Sequence, residues 1–355
     1  MNLAFTNANN YFTTGTAGGK TLTNSSANLN ILFNEGVDIG SSEANDVTFA
    51  GAGNFRVDGA LTSTGAGVRG LTKTGAGTLT LAGAGNSYAG ATAVNVGTLL
   101  LTNSATLTGS TALTVSTINT VSSSSATRTA AATLNVASGS SLLTNSTTTV
   151  YSGGNLIMNG TAGSVVVETN GLVGGSGTFN GAVTLKSGSL LNPGNSPGTL
   201  TASLATWEAG STYNWEINNA TGTAGTNWDV FSVTGALDLS ALSSSAQMNL
   251  VLNSLSIANY STSTSYPWVF AKAASFTGIA AGTQDLTSYF NINTAAFNGG
   301  TAANLPNGGF QVVTSTEGSL RTLQLLAVPE PSTGSLLAFG FGGLVLTRLL
   351  RRKQS

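Results

Sequence analysis

The chain is punctuated at short intervals by glycine and asparagine, and the segments between them alternate apolar residues with threonine or serine. Three such segments are NDVTFAGAGNFRVDG (45–59), GTLTLAG (77–83) and SVVVETNGLVGGSGTF (164–179). Alternation with a period of two is typical of strands that bury one face, and glycine supplies the positive φ that tight turns need. Short strands repeated about every 20 residues predict a solenoid whose rungs stack on one another. A bundle of β-sandwiches is the alternative.

The composition favours an ordered all-β chain. Charged residues make up only 7% of the 355 residues, whereas globular proteins usually have about 25%. Serine, threonine, asparagine and 46 glycines supply the missing polarity, and these residues disfavour long helices. Because 41% of the residues are hydrophobic and the net charge is −1, the chain does not have the composition of a disordered protein.

The sequence contains no cysteine and no histidine. Disulfides, Ser/His/Asp and Cys/His nucleophilic sites and histidine-ligated metals are therefore excluded, and we expect no cofactor and no metal. Four of the twelve basic residues lie in the last eight positions, and acidic residues outnumber basic ones in the rest of the chain. A body without clustered lysine and arginine is not expected to bind nucleic acid.

The acidic residues do not form a recognisable enzyme motif. Glu35, Asp38, Glu43 and Asp46 are the one local group, and a solvated loop is a simpler interpretation of it than a metal site. EF-hand and GGxGxD patterns are absent, and glycine-rich strings such as 83–86 lie between strand patterns and indicate turns. We therefore expect the protein not to be an enzyme.

One segment, GLTKTGAGTLTLAGAGNSYAGATAVNVGTLLL at residues 70–101, resembles the autotransporter-associated β-strand repeat of secreted passenger proteins. The resemblance implies rungs of a right-handed parallel β-helix, and a chance pair of glycine- and threonine-rich strands is the alternative. Alternation with Thr78 and Thr80 places Leu79 and Leu81 inside. The matching positions are Leu71, Lys73, Gly75, Gly77, Leu79, Leu81, Gly83, Asn86, Tyr88, Gly90, Thr92, Val94, Gly97 and Leu99.

The strand spacing predicts a solenoid from about residue 20 to about residue 200, within a first domain of residues 1–202, and the resemblance at 70–101 implies that it is right-handed. The residues expected to point inward are Leu79, Leu81, Val94, Val96, Leu99, Leu134, Val136, Val165 and Val167.

Residues 203–327 are expected to form a β-rich C-terminal region or cap. The preceding stretch SGSLLNPGNSPGTLT (187–201) resembles the turn before the final section of many passengers, and its prolines cannot donate ladder hydrogen bonds. The region from 206 onward is rich in aromatic residues, and WDVxSVxG (228–235) and YPWVFAKAASFTGI (266–279) continue the passenger likeness. Buried core is the expected place of these aromatics, with a carbohydrate platform as the alternative. They are Trp207, Tyr213, Trp215, Trp228, Phe231, Tyr266, Trp268, Phe270 and Phe276.

The last domain, residues 328–355, resembles the PEP-CTERM sorting signal. It begins with the motif Val328, Pro329, Glu330, Pro331, Ser332 and Thr333, continues as an apolar stretch (334–350), and ends with Arg351, Arg352 and Lys353, with Arg348 close by. The resemblance implies a Gram-negative host, an exosortase-type transpeptidase as partner and passage through the inner membrane. As one C-terminal transmembrane helix the apolar stretch would be about 25 Å long, with the basic residues as a cytoplasmic stop. A plain anchor without processing is the alternative.

The N-terminus, MNLAFTNANNYF, has no basic or apolar signal region, so we expect the true start to lie upstream or the chain to be a processed form. The combined features predict an exported, non-catalytic structural or adhesion protein. It would be membrane-anchored before processing and would then reside at the cell surface or in the extracellular matrix, where polysaccharide is a candidate partner. A β-helical carbohydrate-active enzyme or glycan-binding module is the alternative. Two carboxylates converging in one groove from adjacent rungs would favour that alternative.

Overall fold

A computed structural model describes residues 1–6, 10–11, 19–40, 46–63, 68–107, 109–116, 132–143, 146–254, 256–280, 282 and 284–329, with residues 10–11 described as backbone. In these residues the regular structure is all β, apart from 3₁₀ turns at Thr287–Tyr289, Phe297–Gly299 and Ala302–Asn304. The all-β expectation is confirmed.

The strands are short in the N-terminal half and longer in the C-terminal half. The first ten are β1 (Asn2–Phe5), β2 (Asn10–Tyr11), β3 (Lys20–Thr23), β4 (Asn30–Phe33), β5 (Val37–Asp38), β6 (Val47–Ala50), β7 (Asn54–Val57), β8 (Leu61–Thr62), β9 (Leu71–Lys73) and β10 (Thr78–Leu81). The next ten are β11 (Thr92–Val94), β12 (Gly97–Leu101), β13 (Leu113–Val115), β14 (Ala132–Val136), β15 (Thr147–Val150), β16 (Gly154–Met158), β17 (Thr161–Ala162), β18 (Ser164–Val167), β19 (Leu172–Gly175) and β20 (Thr178–Leu185). The last nine are β21 (Leu190–Pro193), β22 (Thr199–Trp207), β23 (Thr212–Glu216), β24 (Val230–Asp238), β25 (Met248–Asn253), β26 (Tyr266–Thr277), β27 (Phe290–Ala296), β28 (Phe310–Glu317) and β29 (Leu320–Ala327).

Two long sheets run the length of the molecule. Sheet 1 has the order β1-β4-β7-β10-β12-β14-β16-β19-β21-β23-β25-β27, and sheet 2 has the order β28-β29-β26-β24-β22-β20-β18-β15-β13-β11-β9-β6-β3. A short third sheet is formed by β2-β5-β8. The chain alternates between the long sheets, and the strands up to β27 pair in parallel with the equivalent strands of the neighbouring rungs. This topology is that of a parallel β-solenoid.

The rungs stack in register, so that each core position lies on the same position of its neighbour. Leu79 of β10 pairs with Phe55 of β7 on one side and with Leu99 of β12 on the other. The column then continues through Leu134, Leu156, Val173, Leu191, Tyr213, Leu250 and Ile292. These side chains are buried, except that Ile292 is partly buried. Full burial of one such side chain contributes about 1.5–3 kcal/mol, and together they form one continuous apolar column.

Eight of the nine residues predicted to point inward are fully buried, and Val96 is not. Leu79, Leu81, Val94, Leu99, Leu134, Val136, Val165 and Val167 have no exposed surface, whereas Val96 is 40% exposed. Strand β11 ends at Val94, and the chain turns at Gly97 with φ of 75°. The prediction for Val96 was wrong because the alternation of the sequence continues through a turn in which the strand geometry has already ended.

The third side of the coil changes along its length. It is sheet 3 in the first rungs, and isolated parallel bridges between Asn86 and Leu107, and between Ser141 and Thr161, in the next ones. From β20 onward sheet 2 takes over this side, because its strands lengthen and shift register at the corner. In β20 and β22 the shift lies between Phe179 and Ala182, where a bulge allows one strand to bend around the core.

The parallel coil continues across residue 202, where the sequence predicted a boundary. Strand β22 spans this position and pairs in parallel with β20 and β24, and the ladder of sheet 1 extends to β27. Among the described strands, the hairpin β28–β29 departs from the parallel pattern, because β29 is antiparallel to β26 and to β28. The aromatic-rich region is therefore mostly coil, and the capping element is the final hairpin.

Candidate functional site

The repeat-like segment is held together by buried polar side chains. Asn86 is fully buried. Its Oδ1 accepts a hydrogen bond from the Leu61 N–H at 2.8 Å, and its Nδ2 donates to the Gly83 and Thr106 carbonyls at 2.9 and 3.0 Å. One amide thus joins the turn to the rungs before and after it, and this satisfies backbone groups that burial would otherwise leave unpaired.

Lys73 is an unusual member of the same segment because its side chain is only 1% exposed. Its Nζ donates to the carbonyls of Thr74, Gly75 and Val96 at 3.0, 2.7 and 3.2 Å. Burial lowers the pKa of Lys73 to about 8. All three acceptors are turn carbonyls, so the lysine ties together two adjacent turns and offers nothing to a ligand.

A groove of about 380 Å³ lies on the outward face of sheet 1, and we call it the amide groove. Its sides include Asn155, Ile157, Leu172, Asn192, Asn214 and Glu216, and its rim is the loop 194–198, of which residues 194–196 line the groove. Gly174 lies between Ile157 and Asn192 in the ladder and has no side chain to fill the outward position. The depression therefore results from a glycine at a position where other rungs carry a side chain.

Asp229 closes one end of the amide groove. It is 1% exposed, and its two carboxylate oxygens accept hydrogen bonds from the backbone N–H groups of Gly198 at 2.8 Å and Glu216 at 3.0 Å. Burial raises the pKa of Asp229 to about 7, the two backbone hydrogen bonds oppose that rise, and the nearby charge of Glu216 adds to it. Asp229 thus fixes the rim loop to β23.

Most of the aromatic residues in the C-terminal region lie in the core. Trp207, Tyr213 and Trp215 are fully buried, and Trp268 is 1% exposed. The Trp215 and Trp268 rings lie 5.7 Å apart, and Trp215 Nε1 donates to the Asp229 carbonyl at 2.9 Å. These side chains pack the coil and leave no exposed aromatic platform among themselves.

The acidic group near the N-terminus does not assemble into a ligand site. Asp38 Oδ1 accepts from the Gly40 N–H at 2.9 Å, and Asp46 Oδ1 accepts from the Gly70 N–H at 2.7 Å. Glu43 lies outside the described residues. Nowhere in the described ranges do three or more acidic side chains come together as a metal could require.

Of the predicted sorting motif, Val328 and Pro329 are described. The Val328 N–H donates to the Gly309 carbonyl at 3.0 Å, and its carbonyl accepts from the Gly308 N–H at 2.7 Å. Glu330, Pro331, Ser332, Thr333, the apolar stretch 334–350, Arg348, Arg351, Arg352 and Lys353 lie outside the described residues. In the part of the chain that is described, no helix has the length and apolarity to cross a membrane.

The amide groove was not predicted from the sequence, although its parts were visible there. The stretch 187–201 resembles a turn of passenger proteins, Trp228 is one of the aromatics expected in the core, and Asp229 continues the passenger likeness, but none of these features predicts a groove. The available signal was asparagine at outward positions of successive strands, namely Asn192 in β21 and Asn214 in β23. The strand register needed to join these signals was not available from the sequence.

Part of the chain matches a known family. Residues 71–101 match the model of a family described as passenger-associated-transport-repeat. A comparison with curated proteins gave no match. The matched residues run from β9 to the end of β12, which is the segment joined by Asn86 and Lys73. The prediction of an autotransporter-associated repeat is confirmed, and the chain carries a repeat of the kind found in passenger-type surface or secreted proteins.

Proposed function

We propose that this chain is an exported, non-catalytic structural or adhesion protein of the cell surface or the extracellular matrix. The observation that carries the proposal is the passenger-associated transport repeat at residues 71–101, whose strands belong to the two long sheets that the described strands form. We take the coil to be right-handed, as the resemblance implies and as parallel crossovers almost always are. A coil of this kind presents a long surface on a rigid core, which suits a scaffold or a matrix partner such as polysaccharide.

The proposal includes sorting through the C-terminal tail. Pro329, Glu330 and Pro331 would be recognised by an exosortase-type transpeptidase, the stretch 334–350 would be a transient inner-membrane helix, and Arg348 together with 351–353 would be its cytoplasmic stop. The place of Val328 supports this arrangement. Among the described residues, the backbone hydrogen bonds nearest the C-terminal end are those of Val328 with residues 308 and 309, so cleavage after this point would leave the described coil whole.

We expect Glu330→Ala to block processing of the tail without preventing membrane insertion. The substitution removes the only charge between the two prolines and leaves the apolar stretch and its basic flank unchanged. The double variant Leu344→Asp, Leu346→Asp should instead prevent insertion, because a central aspartate costs about 2.5–3.5 kcal/mol on insertion scales. The measurement is the size and the membrane association of each chain in a host that carries the matching exosortase.

The wild type should appear as a shortened chain outside the membrane fraction, and the Glu330→Ala chain should stay full-length in the membrane. If both chains have the same unprocessed size in the membrane fraction, the tail is a plain anchor and the sorting proposal fails. Pro306→Ala is the matched control, because Pro306 precedes the last hairpin and is not part of the proposed motif.

One observation favours the enzyme alternative. Glu216 at the end of β23 and Asp229 just before β24 line the same groove, and glycoside hydrolases usually use a pair of carboxylates. Against this, both oxygens of Asp229 already accept backbone hydrogen bonds. We therefore expect no turnover of common polysaccharides by the purified protein, measured as reducing ends and as unsaturated products. Turnover that disappears in Glu216→Gln would replace the structural proposal with the enzymatic one.

A further inference from the structure

We propose that the amide groove binds a neutral, hydroxyl-rich chain, that is, an uncharged oligosaccharide. This inference deepens the adhesion part of the proposed function and rests on it, but it concerns a site that can be tested separately. The reasons are the chemistry of the side chains, the rigidity of the rim and the extension of the groove along the coil.

The lining offers both donors and acceptors at an open surface. Asn214 Nδ2 donates to Asn192 Oδ1 at 2.7 Å, which directs the Asn192 amide nitrogen and the Asn214 amide oxygen to other partners. Both residues are half-buried, so they are reachable from solvent. A hydroxyl group can both donate and accept, and a row of amides is therefore a suitable counterpart for a row of hydroxyls.

The charge of the groove selects among polar ligands. The residues that line it include the carboxylates of Glu216 and Asp229 and no lysine or arginine. A polyanion such as a uronate or a phosphate chain would be repelled. Ile157 and Leu172 expose part of their side chains in the groove, and these apolar surfaces can contact the CH faces of sugar rings. Because Asp229 is occupied by backbone N–H groups, Glu216 is the carboxylate available to a ligand.

The rim is held in place before any ligand arrives. At one end the Gly198 N–H donates to Asp229 Oδ1 at 2.8 Å. At the other end Asn195 Nδ2 donates to Asn159 Oδ1 at 3.0 Å and to Ser176 Oγ at 2.9 Å. Binding therefore does not have to order this loop, and a preorganised site loses less free energy on binding.

The groove is also continued beyond its rim. A second depression of about 390 Å³ lies on the other side of the loop and shares Ser196 and Glu216 with the first. Its further lining comes from the next rungs, including Asn218 and Asn253. Two depressions in line along the coil axis fit an extended chain of several sugar units better than a single small molecule.

The test is calorimetric titration of the purified protein with neutral cello-, malto- and mannohexaose, with hexagalacturonate and with hexalysine. We expect at least one neutral hexasaccharide to bind and the polyanion not to bind. Asn214→Leu keeps the approximate size of the side chain and removes its hydrogen bonds, so it should weaken binding at least tenfold.

Asn291→Leu is the matched control, because Asn291 donates to Asn249 Oδ1 at 3.0 Å in the same ladder of sheet 1 but does not line the groove. It should bind like the wild type. The inference is overturned if no neutral hexasaccharide binds, if both leucine variants lose affinity equally, or if hexalysine or hexagalacturonate binds more tightly. If the protein is exported and processed as proposed but does not bind a neutral hexasaccharide, only the proposed binding site is refuted.

Discussion

Trp215→Ala is expected to lower the free energy of unfolding by about 3–5 kcal/mol, which is typical for removal of a buried tryptophan. Trp215 is fully buried, packs 5.7 Å from the ring of Trp268, and donates its Nε1–H to the Asp229 carbonyl. The alanine variant therefore leaves a cavity and also an unpaired buried acceptor. The measurement is urea unfolding of the variant and of the wild type at neutral pH.

Leu204→Ala is the control for this prediction. Leu204 lies on β22 but is 50% exposed, and its truncation should change the free energy of unfolding by no more than about 0.5 kcal/mol. An equal loss in the two variants would mean that Trp215 is not packed inside the coil, and the continuity of the core beyond residue 202 would be contradicted.

The wild type is expected to lose stability as the pH rises, and the substitution Asp229→Asn is expected to abolish this loss. The pKa of Asp229 is raised from 3.8 to about 7 in the fold, so the folded state holds its proton up to a higher pH than the unfolded chain does. The free energy of unfolding of the wild type should therefore fall, relative to the asparagine variant, as the pH rises from about 4 to about 7. The full displacement corresponds to about 4 kcal/mol. Urea unfolding of both chains at several pH values measures this difference.

For Asp238 the pH dependence is expected to have the opposite sign: relative to Asp238→Asn, the wild type should lose stability as the pH falls. The Ser240 N–H donates to Asp238 Oδ1 at 3.0 Å, and this hydrogen bond lowers the pKa of Asp238. Asp238 therefore contributes stability above the unfolded pKa that is lost as the pH falls through the folded pKa.

A difference between Asp229→Asn and wild type that is constant from pH 4 to pH 7 would show that Asp229 is solvated and does not fasten the rim loop.

The strands of the rungs could be predicted because the alternation of apolar and polar residues is contained within each short segment. Leu79 and Leu81 alternate with threonines, and a strand with that pattern has one buried face in any stacked arrangement. Val96 shows the limit of such reasoning. The alternation of apolar residues continues to Val96, but the strand ends before it, at the turn that contains Gly97. The buried side chain next to this turn is that of Lys73, which donates to the Val96 carbonyl. The composition of the segment does not indicate that a lysine within it is buried.

The extent of the coil and the amide groove depend on pairings between distant residues. The aromatics that begin at Trp207 indicated a different module, yet they enlarge the same column in which Leu191 pairs with Tyr213. The groove needs Gly174, Asn192 and Asn214 to lie side by side, although they come from three rungs of different length. Asp229 is buried because the rim loop folds over it, and its neighbours in sequence do not reveal this.

Export of the chain is tested most directly by labelling intact cells. The 355 residues contain no cysteine, so a single Ser244→Cys variant, in an exposed turn between β24 and β25, places one thiol among them. In cells that make the protein from its own gene, a membrane-impermeant maleimide should label this variant without lysis. Leu237→Cys, at a fully buried position, should be labelled only after denaturation. Labelling of Ser244→Cys that requires lysis would place the coil inside the cell and contradict the proposed function.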